Sequence, residues 1–120
     1  MKIETTILKN LLQNEDYARK VLPFLNDEYF TENSDKIIYN QINNFILKYN
    51  SLPNKEALNI ELSEAKITEE DFKESINLIN EIGKDDQEFS DLSWLLDSTE
   101  KFCQDKAIYN AVVESISLLD

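Results

Sequence analysis

From Asp91 to Leu119 the chain reads DLSWLLDSTEKFCQDKAIYNAVVESISLL, without a glycine or a proline. Such a stretch can run as one helix of roughly 40 Å at 1.5 Å per residue. At about 100° of rotation per residue, Leu92, Leu95, Leu96, Thr99, Phe102, Cys103, Tyr109 and Val113 share one face, the stripe that a helical head would cover. Ile108, Val112 and Leu119 project from nearly the opposite side, so the C-terminal half is apolar in two directions. A helix apolar most of the way round is buried on most sides or awaits a partner, and one small domain cannot cover both directions. The expectation is an interaction surface on Ile108, Val112 and Leu119, covered by another chain or by sequence beyond Asp120. Trp94 lies off the main stripe, close to the direction of Val112. Packing beneath a neighbouring loop is its plainer reading; an interface anchor is the other, because Trp is enriched among binding hot spots.

The rest of the chain is helical by the same reasoning. One Gly and two Pro in 120 residues leave no supply of the tight turns that an all-β fold needs. Ile7, Leu8, Leu11 and Leu12 give a helix over about Thr5 to Gln13 with one wet face. Asn14 breaks and caps before a second helix, Glu15 to Leu22, ended by Pro23 because the residue before a proline avoids helical geometry. Phe24, Leu25, Tyr29 and Phe30 form an aromatic-rich connection with room for a single turn. Asn33 or Ser34 caps the next helix, where Ile38, Ile42, Phe45, Ile46 and Tyr49 recur at helical spacing up to Asn50-Ser51-Leu52-Pro53. Pro53 and Asn54 open a shorter helix that buries Ala57, Leu58 and Leu62. Thr68 and Asp71 resemble a capping box ahead of Phe72, Ile76, Ile79 and Ile82, and Gly83 supplies a left-handed C-terminal residue. A polar connector, Lys84 to Ser90, precedes the last helix. The fold class is all-α: a compact helical head of about five or six helices over residues 1–90, followed by a long C-terminal helix over residues 91–120 of the same domain.

Composition bounds the chemistry. Asp plus Glu number 24 against 12 Lys plus Arg, with no His, for a net charge of -12. Phosphate contacts need clustered cations, so direct DNA binding and anionic membrane binding are not expected. A single cysteine excludes an internal disulfide, and without histidine the usual zinc sets cannot form. No run approaches the roughly 18 apolar residues of a membrane span, and the N-terminus lacks a signal peptide's apolar core, which together point to a cytoplasmic protein. The sole glycine, in Glu81-Ile82-Gly83-Lys84, cannot build a phosphate-cradling loop. Asp85, Asp86, Glu88 and Asp91 lack the alternation and the glycine of a calcium loop. Cys103 has no histidine to deprotonate it and lies on the apolar stripe, so it reads as core. Phe24, Tyr29, Phe30, Tyr39, Phe45 and Tyr49 have few cations beside them and read as core aromatics rather than a base-stacking platform. No catalytic, cofactor-binding or metal-binding residue is expected, and the candidate interface residues are Trp94, Ile108, Val112 and Leu119.

Several stretches carry a family resemblance. Lys20-Val21-Leu22-Pro23-Phe24-Leu25-Asn26-Asp27-Glu28-Tyr29-Phe30 resembles a segment of the amino-terminal domain of replicative helicases from T-even-like bacteriophages, relatives of the bacterial DnaB helicase. Tyr49-Asn50-Ser51-Leu52-Pro53 with Ala57-Leu58-Asn59 resembles the loop into that domain's next helix. Ser93-Trp94-Leu95, Thr99-Glu100-Lys101, Ala107 and Asn110-Ala111 resemble the start of its long hairpin helix. The resemblance runs collinearly from about residue 7 to residue 116. It implies an all-helical head followed by a helical hairpin, of which the last helix here is the first arm. It further implies pairing of subunits into dimers within a hexameric ring, and docking of primase or a helicase loader on the collar so formed. ATP and Mg are then expected only in a motor domain outside this chain, and the setting is the cytoplasm of an infected bacterial host. The rival reading is a free-standing acidic helical protein that binds a basic protein partner, since the charge of -12 steers cations.

Overall fold

A computed structural model describes residues 2–84 and 91–119. Among these residues there are six α-helices and no strand: α1 (Ile3–Gln13), α2 (Glu15–Val21), α3 (Asn33–Tyr49), α4 (Lys55–Glu64), α5 (Glu69–Ile82) and α6 (Leu92–Leu119), with a 3₁₀ turn at Asp27–Tyr29. The all-α expectation and the long terminal helix are both observed. The polar connector past Lys84, with Asp85, Asp86 and Glu88, lies outside the described residues.

α1 is the central helix, packed by α2, α3, α5 and α6. The expected wet face is present but narrow: Thr6, Asn10 and Gln13 keep it partly open, while Ile7, Leu8 and Leu11 are buried, and so is Lys9 between them. An apolar pattern reports which side is greasy, while the number of helices laid over a segment is set by residues far away in sequence. α3, α4 and α5 pack together, α2 packs on α1 and α6, and the 3₁₀ turn sits against α3 and α6. Ile38, Tyr39 and Ile42 of α3, Leu58 and Leu62 of α4, and Leu78, Ile79 and Ile82 of α5 complete the core, with Phe72 and Ile76 half-buried at its edge.

Most helix ends follow local chemistry. Asn14 closes α1 and opens α2, its side-chain oxygen accepting from the Tyr17 amide at 3.1 Å. Asn54 accepts from Ala57 at 2.7 Å, and Thr68 from Asp71 at 3.1 Å. Three expectations need correction. Leu22 keeps helical geometry despite preceding a proline, and α2 stops at Val21 because Pro23 has no N–H to continue the ladder. Glu32, not Asn33 or Ser34, precedes the first turn of α3, and it makes no side-chain cap bond. Gly83 is right-handed, at φ -83°, and not the left-handed cap its identity suggested. Glycine is needed there for space, since a Cβ would stand 2.8 Å from the Ile79 carbonyl oxygen and 3.2 Å from Cδ of Lys55. The left-handed residue is Asn50 at the end of α3, with φ 55°. Its carbonyl accepts from the Arg19 guanidinium at 3.2 Å, while the same guanidinium pairs with Glu15 at 2.8 Å.

Gln13 joins two helix ends. Its amide donates to the carbonyls of Ile82, at 2.8 Å, and Lys84, at 3.1 Å, satisfying acceptors that the end of α5 leaves open.

Candidate protein-interaction surface

α6 begins with Asp91, whose carboxylate accepts from the Trp94 amide at 3.1 Å. Its first half is anchored through Leu95, Thr99, Phe102 and Cys103, all buried. Thr99 donates its one hydroxyl proton to the Leu95 carbonyl at 2.7 Å, so in the 2.6 Å bond to Tyr17 the phenol must be the donor. Burial pushes the Tyr17 hydroxyl up to about 12, and the phenol stays a donor throughout the ordinary pH range. Phe102 reaches Phe30 at 5.7 Å between centroids, and Phe30 stacks on Tyr39 at 5.4 Å. Burial also pushes the Cys103 thiol up, as befits a core cysteine.

Beyond Cys103 the side turned to the head becomes polar. Lys106 reaches the Thr31 hydroxyl at 3.4 Å, and the Asn110 amide donates to the Glu28 carbonyl at 3.1 Å. The expected continuation of the covered stripe to Tyr109 and Val113 is thereby corrected: they are 64% and 44% exposed. The helix leaves the head at Asn110 and every residue from Ala111 to Leu119 is exposed. The protruding half presents Ile108, Tyr109, Val112, Val113, Ile116 and Leu119 to solvent, along with Leu118. Tyr109, Val112, Ile116 and Leu119 follow the three-four-three spacing of a heptad seam, flanked by Ile108 and Val113. Exposed apolar side chains in one contiguous band mark an interaction surface, whereas scattered ones do not.

Of the residues singled out from sequence, Ile108, Val112 and Leu119 lie together on this band. Trp94 does not join them. It shares their direction, and its side chain is half exposed, but Lys101 and Asp105 intervene and about 27 Å of helix separates it from Val112. Tyr109, Val113 and Ile116 belong to the surface and were missed. The 100° wheel puts Tyr109 and Val113 on the covered stripe, whereas a heptad count finds Tyr109 and Ile116, with Val113 flanking the seam.

A second surface feature adjoins the anchored half. A groove of about 670 Å³ runs between α2 and α6, floored by Val21, Leu96 and Cys103, with Phe24 at its lip. Phe24 is 71% exposed and Tyr49 is also on the surface, so the expectation that all six first-half aromatics are core holds for Phe30 and Tyr39 but not for these two. Tyr49 instead packs on Phe45 at 4.7 Å and carries the Lys48 ammonium over its ring. Among the described residues, no group of three Cys, Asp or Glu side chains is placed to hold a metal ion, and no helix is long and apolar enough to cross a membrane.

Fold and surface together define a small all-helical module that displays one long, half-uncovered helix. Over 112 residues, 93% of its length, the chain is 31% identical to the DnaB-like replicative helicase of Enterobacteria phage T4. The resemblance read from the sequence motifs thus extends to homology along nearly the whole chain. The match spans 23% of that helicase, so the chain corresponds to a fraction of its relative's length. No family model matches.

Proposed function

We propose that this chain is the noncatalytic N-terminal collar domain of a phage replicative DNA helicase, which pairs with its own copies and docks primase or a helicase loader. The observation that carries the reading is the uncovered heptad band of α6 on a domain homologous to part of such a helicase. Helix-on-helix pairing through Tyr109, Val112, Ile116 and Leu119 would remove that band from water, at a gain of about 25 cal/mol per Å² of apolar surface. Translocation and nucleotide hydrolysis belong, in this reading, to a motor domain elsewhere in the helicase, and ATP and Mg act only there. DNA reaches the ring through that motor, because a domain of net charge -12 repels phosphate.

Sedimentation of the 120-residue chain over a wide concentration range tests the pairing. Mass is expected to rise with concentration, and the double variant Val112→Glu, Ile116→Glu should stay monomeric while keeping its helical content, since neither residue touches the head. A strictly monomeric chain at the highest attainable concentration would overturn pairing through α6.

A further inference from the structure

A second binding surface lies away from α6. A recess of about 820 Å³ is formed by the start of α1, the start of α3 and the outer face of α5, lined by Lys2, Glu32, Ser34, Asp35, Glu74 and Glu81 among others. Glu32, Glu74 and Glu81 are exposed at its rim, and Asp35 is 6% exposed on its wall. Among the described residues none of these four carboxylates takes part in an ion pair or a hydrogen bond. For the three exposed groups that is ordinary. For Asp35 it is not, because a buried ionised carboxyl is normally paired or bonded. The first turn of α3 offers it a favourable dipole, yet its oxygens bond none of the amides there.

We propose that this recess receives the cationic head of an arginine or lysine side chain carried by a basic segment of a partner protein. Three features favour that occupant over others. Among the described residues no three of the carboxylates are placed to hold one metal ion. An extended guanidinium or a mobile ammonium, by contrast, can address several at once. Anions are repelled by every rim carboxylate and by the net charge of -12, which draws cationic segments toward the surface. Lys2 stands at the rim as the resident cation, and its charge acts on Asp35 without forming an ion pair, so a better-placed cation would complete the site. The groups whose charge reaches Asp35 are Glu4 and Lys2 from α1 and its cap, Glu32 ahead of α3, and Glu81 from α5, with burial outweighing each of them. No lining residue belongs to α6, so the site is independent of the pairing surface.

Tetra-arginine amide titrated into the isotope-labelled chain near neutral pH is the test. Amide shifts should concentrate at Glu32, Ser34, Asp35, Asn77 and Glu81. Asp35→Asn should weaken binding about tenfold, and the charge-matched Glu64→Gln, at the end of α4 and outside the recess lining, by less than about twofold. In the unmodified chain the Asp35 carboxyl carbon should titrate at lower pH once peptide is bound, a readout that needs no variant. The Val112→Glu, Ile116→Glu double variant should bind peptide as before, which separates this site from the pairing surface. Shifts scattered over the acidic surface, equal weakening by both single variants, or an Asp35 titration that peptide leaves unmoved would each overturn the proposal.

Discussion

Phe30→Ala is expected to remove about 3–5 kcal/mol of stability, the range for truncating a fully buried aromatic, and so a large part of the roughly 5–15 kcal/mol that holds a domain of this size together. Phe30 is 1% exposed and is the shared ring of two contacts, to Tyr39 of α3 and to Phe102 of α6. Among the described residues it makes the one ring-to-ring contact between the head and the anchored half of α6, which Tyr17 joins through its hydroxyl. The backbone around it is held by short-range bonds, from the Phe30 amide to the Asp27 carbonyl and from the Tyr39 hydroxyl to the Leu25 carbonyl, at 3.1 and 3.0 Å. That scaffold resists collapse into the vacated space, which places the cost toward the upper end. Denaturant unfolding should show a lower midpoint at unchanged slope. Hydrogen exchange should show the larger loss of protection in α6 near Phe102 than in α1. A loss under about 1.5 kcal/mol would mean that the site repacks and that the Phe30 ring does not tie α6 to the head.

How much of this was legible in the sequence depends on how far apart the partners lie. Caps are local, so Asn14, Asn54 and Thr68 could be read directly from side-chain identity and the three-residue reach of an oxygen to an amide. Helical periodicity likewise gave α3 and α5 their buried faces. The burial of Lys9 on α1 was not legible, because it is decided by helices far along the chain, whose packing no local pattern encodes. Gly83 shows the same limit: its identity was informative, but the reason is the Lys55 side chain and the Ile79 carbonyl crowding it, not a left-handed turn. For the candidate surface, the excess of apolar residues on α6 was visible and its boundary was not. The stripe was expected to continue to Val113, whereas the head ends first and hands over to Lys106 and Asn110. Those two contacts join residues 75 and 82 positions apart. Asp35 was invisible altogether, since nothing in Asn33-Ser34-Asp35-Lys36 says that this carboxylate is covered by α1 and α5.

Asp35 yields the second prediction, in the pH dependence of stability. Its carboxyl is pushed up from 3.8 to about 6, first by burial and then by the negative charges of Glu4, Glu32 and Glu81, with Lys2 pulling the other way. A folded-state value above the unfolded one means that the native chain holds this proton more tightly. The stabilisation is fully present below the unfolded value and is lost as pH rises through about 6. The native state at neutral pH therefore carries a covered, unpaired carboxylate, a deficit on the order of 1–2 kcal/mol after allowance for solvent screening. Asp35→Asn keeps the shape and removes the ionisation. It should raise stability at pH 7 by that amount, less a few tenths of a kcal/mol for the lost charge at the start of α3. It should also flatten the part of the stability profile between about pH 4 and pH 6 that this one group controls. The general repulsion of a chain at net charge -12 has the same sign, so the informative quantity is the difference between the two proteins in urea midpoints measured across that range. An asparagine variant less stable than its parent at pH 7 would show that the ionised carboxylate is stabilised in place, and the recess would then already be complete without a visiting cation.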